Sequence, residues 1–306
     1  MPLIRQVYPH SKIVFTIHYQ DWGLLLQSNT SYFRKIIHNA HTNQFINKEE
    51  KNIFNLYKRD KKLFEDVDYI ISLCEYTRNI LVEDFLIPNN KIFLIPNGIK
   101  DEGIVLSLSE KRNRKIRRGI LVNEKIILYV GRLENIKGFD ELILAYQLLL
   151  EEYNRCRLIV VGTGDFTKYL KKAGDSRYKM SFTGMLDKKE LYELYTIADL
   201  GVVPSKSDQF NYVAVEMMMF NIPLIISTSS GLNERSKNAT KLEVIETNGT
   251  VAISPENLKA LMYDNLIYKS RNQNMRKEYL RKYTLDIFYK KMSDLYNKII
   301  STAKNN

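Results

Sequence analysis

The sequence predicts an α/β protein of two doubly wound parallel domains, the first of them incomplete. Three observations lead there. Short β-branched runs alternate with segments of helical period along the chain, the pattern of parallel sheets with crossover helices. A length of 306 residues, 44% of them hydrophobic, suffices for two cores. A turn-forming Pro96-Asn97-Gly98 then leads into a basic stretch ending near Gly119, where composition shifts.

Taken in order, the first domain, 1–118, offers strands at 12–18, 69–73 and 92–96, apolar runs of strand length bounded by polar or turn residues. Each βα unit of a doubly wound domain takes roughly 30 residues, so this domain is expected to lack two or three units. Six of the eight residues in 111–118 are basic. Such a run could seat a phosphate or lipid headgroup, but a solvated helix face or linker is its commoner use. The second domain, 119–280, offers strands at 126–131, 157–162, 180–183, 200–204 and 224–227. Between them, Phe139, Leu142, Ile143, Tyr146 and Leu149 recur at helical spacing, as do Leu191, Leu194, Tyr195 and Ala198, so each helix should bury one stripe on the sheet. In 281–306, Leu285, Phe288, Met292, Leu295, Tyr296 and Ile299 form a further stripe that needs a surface, and this helix is expected to cross back to the first domain.

Composition narrows the function classes. No apolar run approaches the roughly 20 residues that span a bilayer, and the N-terminus lacks a signal-peptide pattern. Cys74 and Cys156 are the only cysteines, without metal or redox spacing, which fits a reducing, cytoplasmic compartment and no disulfide framework. The net charge of +11 suits an anionic partner: nucleotide phosphates, an anionic membrane surface or nucleic acid. No nucleic-acid recognition motif is present, so nucleic acid is not expected.

Two loops carry the chemistry. Gly131-Arg132-Leu133-Glu134-Asn135-Ile136-Lys137-Gly138 follows a strand directly and places two cations beyond its carboxyl end, where doubly wound sheets bind ligands. Arg132 can fork two phosphate oxygens and Lys137 can add a point charge; an ordinary βα turn with solvated charges is an equal alternative. The second loop runs from Pro204 through Asp208 to Glu216. Asn211 is a good N-cap, so a helix should start there with its free amides toward the cleft. Glu216 could accept from ribose hydroxyls and Asp208 from sugar hydroxyls. Gly162-Thr163-Gly164 and Gly184-Met185 also end strands, and such turns let a base approach backbone amides or simply close the loop.

Gly131-Arg132 through Lys137-Gly138, Val161-Gly162-Thr163-Gly164, Phe182-Thr183-Gly184, Ala198-Asp199, Pro204-Ser205, and Asp208 to Glu216 followed by Ile222-Pro223-Leu224-Ile225 together resemble the GT-B retaining glycosyltransferases of family 4. The resemblance implies two Rossmann-like domains. It puts Arg132 and Lys137 on a donor pyrophosphate, Glu216 on the ribose, Gly162, Gly164 and Met185 near the base, and Asp208 beside the transferred sugar. His18, in Thr16-Ile17-His18, resembles the family's strand-end histidine facing the donor across the cleft. The family usually has Glu where Asp208 stands, followed by Pro-Phe-Gly; here Gln209-Phe210-Asn211 follows, which bears on sugar identity.

The expected function is therefore transfer of a sugar from a nucleoside diphosphate sugar to an acceptor hydroxyl, retaining and metal-independent, in cell-surface polysaccharide or glycolipid synthesis. His18 and Asp208 are the expected catalytic residues, and Arg132, Lys137, Gly162, Gly164, Met185, Asn211 and Glu216 the donor-binding ones. No cofactor is expected, since the nucleotide sugar is a substrate. The acceptor is a carbohydrate or a lipid-linked molecule. The alternative, from the short first domain, is a catalytically silent donor-binding module.

Overall fold

The computed structural model describes residues 2–41, 47–268 and 274–304. Two parallel sheets organise them. The first contains β1 (Val14–Ile17), β2 (Tyr69–Ser72) and β3 (Ile92–Leu94) in that spatial order. The second contains β4 (Lys125–Val130), β5 (Cys156–Val161), β6 (Met180–Gly184), β7 (Leu200–Val203), β8 (Leu224–Ser227) and β9 (Thr240–Leu242), ordered β6-β5-β4-β7-β8-β9. Numbered within the domain this is 3-2-1-4-5-6, the order of a dinucleotide-type doubly wound sheet, with its reversal point between β4 and β7.

Near-continuous Ile, Val and Leu in β4 and β5 follow from burial on both faces. On one face the helix Phe139–Glu152 buries Phe139, Leu142, Ile143, Tyr146 and Leu149, the stripe its period predicts. On the other, the helix Tyr212–Met219 buries Ala214, Val215, Met217, Met218 and Met219. The first sheet packs Ile17 and Ile70 against Trp22, Phe33, Phe64 and Phe85 on one side. On its other side Ile71 and Ile95 meet Leu295 and Ile299 of the helix Leu285–Lys304. That helix thus covers the first sheet although it follows the second in the chain.

Two parts of the structure depart from the sequence expectations. The basic run is neither a linker nor a fully solvated face: it forms the helix Leu108–Arg117, opened by a Ser107/Glu110 capping box. Lys115 is buried, its Nζ 2.5 Å from Asp199 Oδ2, and Lys111 Nζ lies 3.0 Å from Asp199 Oδ1. Asp199 Oδ2 also accepts the Ile126 amide at 2.9 Å, so one carboxylate ties this helix to the start of β4. The second departure is β9 with the hairpin Ile245–Glu246 and Val251–Ala252, whose Asn248-Gly249 turn has Gly249 at φ +83°. Asn29 Nδ2 donates to the carbonyls of Thr247 (2.6 Å) and Thr250 (2.9 Å), pinning that hairpin to the first unit. Among the described residues no helix is long and apolar enough to cross a membrane.

Candidate functional site

The reversal between β4 and β7 splays the loops that leave their carboxyl ends, and the crevice between them is where such sheets take ligands. A cleft of about 170 Å³ lies there, lined by Tyr129, Gly131, Lys137, Ser205, Asp208 and Asn211 among others. Lys137 Nζ stands 2.8 Å from Asp208 Oδ2, and Asn211 Nδ2 donates to the same oxygen at 2.9 Å. Asn211 Oδ1 meanwhile accepts the Ala214 amide at 2.8 Å, capping the helix Tyr212–Met219. Asn211 sits at φ +54°, in the left-handed region that only Gly, Asn and Asp enter readily. A cation, a carboxylate and a helix N-terminus therefore meet at one point.

The two loops are locked together. Gly138, at φ +68°, lies so close to Pro204 that a Cβ would fall 2.0 Å from the Pro204 carbonyl oxygen. Lys206 is 3% exposed, its Nζ 2.7 Å from Glu141 Oε1 and 2.9 Å from Asn135 Oδ1. The Lys206 amide donates to the Ile136 carbonyl at 2.8 Å. The sequence carries no sign of this role for Lys206, because a lysine in a loop usually faces water; its partners, Asn135 on the preceding loop and Glu141 in the helix after it, reveal it.

The other expected site residues are placed as follows. Arg132 is 60% accessible at its side chain, pairs with Glu134 at 3.0 Å and is not part of the cleft lining. Glu216 accepts from Tyr195 Oη at 2.9 Å and is not part of the cleft lining. Burial pushes its carboxyl above the usual range, against the Tyr195 hydrogen bond that lowers it. Gly162 spends its amide on the Gly184 carbonyl at 2.9 Å, and at φ +140° a Cβ there would fall 1.9 Å from the Gly131 carbonyl oxygen. Gly164 bridges to Leu133, so both glycines zip neighbouring loops together. Met185 is 80% exposed, beyond β6.

His18 is exposed at the end of β1 and lines a different cavity, of about 360 Å³, with Tyr19, Gln20, Asp21, Arg59 and Asp60. The structure thus brings Lys137, Asp208 and Asn211 together and leaves His18 outside their cleft. What reaches the loop from the first unit instead is Ser28 Oγ, 2.6 Å from Ser207 Oγ, and Thr77, which donates to Gln209 Oε1. Glu234 accepts the amides of Glu75 (2.7 Å) and Tyr76 (2.6 Å), satisfying the N-terminus of the helix Glu75–Glu83. The Glu75–Tyr76 stretch gives no hint of this distant cap. Burial raises the Cys74 thiol, so it stays neutral between these elements.

Known proteins resemble this chain over both units. The family model described as glycosyl transferases group 1 matches residues 110–281, and that described as glycosyltransferase family 4 matches residues 4–102. An uncharacterized glycosyltransferase of Methanocaldococcus jannaschii is 30% identical over 79% of this chain and 65% of its own length. The capsular polysaccharide biosynthesis glycosyltransferase CapM of Staphylococcus aureus is 22% identical over 82% of this chain and 67% of its own. The crystal structure of Anabaena Alr3699/HepE in complex with UDP and glucose superposes with a TM-score of 0.67 at 15% identity, over 97% of this chain and 74% of that one. The chain spans between 40% and 67% of the length of such curated relatives.

Proposed function

Since the chain belongs to the GT-B group 1 glycosyl transferases, we propose that it moves a sugar from a nucleoside diphosphate sugar to an acceptor hydroxyl, with retention and without a metal ion. The observation that carries this reading is the meeting of Lys137, Asp208 and the Asn211-capped helix end at the reversal point of the second sheet. A helix N-terminus and a lysine offer a seat for phosphate, and the carboxylate beside them can accept from sugar hydroxyls. Support for a nucleoside diphosphate sugar donor comes from the UDP and glucose bound in the structurally similar HepE.

In this reading the bond from the sugar's anomeric carbon to the diphosphate breaks while the acceptor oxygen bonds to that carbon from the same face. The acceptor proton passes to the departing phosphate oxygen. Lys137 and Arg132 offset the charge that accumulates on the diphosphate, Arg132 after leaving Glu134 by side-chain rotation. Asp208 holds the sugar, Glu216 the ribose, and the Gly162, Gly164 and Met185 turns flank the base. His18 stands on the acceptor's side. The acceptor is a carbohydrate or lipid-linked molecule of cell-surface polysaccharide or glycolipid synthesis, met in the cytoplasm at an anionic membrane; the likeness to CapM supports the polysaccharide assignment.

Calorimetric titration of nucleoside diphosphates into the wild type and an Arg132→Ala/Lys137→Ala variant tests the donor site. Loss of affinity by at least about tenfold is expected from two charge-assisted contacts, and equal binding refutes the assignment. Transfer to acceptors, assayed on the nucleotides that bind, separates an enzyme from a silent donor-binding module.

A further inference from the structure

The helix Leu108–Arg117 has two unlike sides. Inward, Lys111 and Lys115 close on Asp199. Along its outer flank run Leu108, Arg112 and Ile116 at i, i+4, i+8, with Leu108 and Ile116 60% and 57% exposed. Leu121 and Val122, which follow the helix, are exposed as well. A fully solvated flank would put polar residues at 108 and 116 as well as at Arg112.

Beside this flank lies a cavity of about 590 Å³ in which four cations, Lys111, Arg112, Lys115 and Lys125, face one carboxylate, Asp199. The exposed Leu108 and Val122 also line it, with Asn123. Positive charge in excess over negative, bordered by exposed aliphatic side chains, matches the layering of an anionic bilayer, phosphate outside and acyl chain beneath. The long arginine stem suits that geometry, since its methylenes can lie along apolar surface while the guanidinium stays at phosphate level.

We propose that this face docks the protein onto an anionic membrane, with a lipid phosphate in the cationic cavity and Leu108, Ile116, Leu121 and Val122 entering the interface. The proposal names the surface that the membrane part of the functional reading requires, and it is independent of which sugar is transferred. It places the contact on the helix that Asp199 ties to the start of β4, beside the second sheet.

The test is flotation with vesicles of phosphatidylcholine alone and of phosphatidylcholine containing phosphatidylglycerol. Wild type is expected to float with the anionic vesicles, less so in high salt, and to stay behind with the neutral ones. Arg112→Glu and, separately, Leu108→Ser/Ile116→Ser should each lower the bound fraction at least about fivefold while nucleotide binding and Tm stay unchanged. None of these positions belongs to the nucleotide cleft, so nucleotide binding reports the donor reading separately. Flotation that both variants retain would overturn the proposal and leave membrane attachment to another face. Absence of wild-type flotation would overturn both. Loss of single-stranded RNA binding, or of a concentration-dependent dimer, in the same variants without flotation would assign the face to that partner and refute the membrane.

Discussion

Asn211 does two jobs that pull on one side chain: Oδ1 caps a helix while Nδ2 holds the Asp208 carboxylate. Its positive φ restricts the residue types that fit there without strain. Glycine would keep the backbone but release Asp208, whereas a β-branched residue would strain the backbone as well. Asn211→Gly is therefore expected to cost only a few tenths of a kcal/mol of stability but to weaken sugar-nucleotide binding. Asn211→Val should cost about 2 kcal/mol or more, read by urea denaturation. A Val variant as stable as the Gly variant would contradict this. At Glu216 the effects separate differently. Its carboxyl is raised in the fold, so the charged form weakens stability at pH values above its unfolded value of about 4.3. Glu216→Gln should thus hold or raise Tm at neutral pH while nucleotide affinity falls about tenfold; unchanged affinity would remove Glu216 from the ribose.

Among elements, the helix Leu108–Arg117 shows what the sequence left unreadable. Its five basic residues suggest a solvated surface, yet two of them are spent on Asp199 eighty residues or more away. Burial alone would raise Asp199, but Lys111 and Lys115 outweigh it and hold its carboxyl below the usual range. A depressed folded value contributes stability above the unfolded value of about 3.9 and loses it as pH falls through the folded one. Asp199→Asn should therefore cost about 3–5 kcal/mol at neutral pH by leaving Lys115 buried without its charge partner, and should flatten the acid limb of the stability profile. A profile parallel to wild type would refute the clamp. The strands of the second sheet were legible because burial on both faces writes them as apolar runs. The polar β9 and its hairpin were not, since their backbone partners are set by tertiary packing. At the site, the loops carrying Lys137, Asp208 and Asn211 were legible from strand-to-helix placement and motif order. Lys206 and Glu234 were not, because burial and capping by distant loops leave no periodic trace.

At the scale of the whole molecule, the two units meet through short polar contacts around the 204–211 loop. Gln209, which stands where the family carries proline, accepts from Thr77. Arg235, buried over the rings of Phe210 and Tyr283, donates to the Leu73 carbonyl of the first unit at 3.4 Å. Any rotation of one unit on the other must break these contacts, so the Asp208 loop is coupled to the relative placement of the units. Glu234→Ala removes the acceptor for two amides and should cost about 1–3 kcal/mol. Hydrogen exchange at Glu75 and Tyr76 should accelerate accordingly, and unchanged exchange would show that another acceptor substitutes.

The same cap has a consequence during synthesis. Cys74 supplies no side-chain cap, and the carboxylate that does the work lies 159 residues downstream of Glu75. At translation rates of roughly 5–20 residues per second, the helix Glu75–Glu83 leaves the ribosome on the order of ten seconds or more before Glu234 is made. Until then its first turn stays open to water and to chaperones, and the first unit reaches its final form only when the second has been translated far enough to close it.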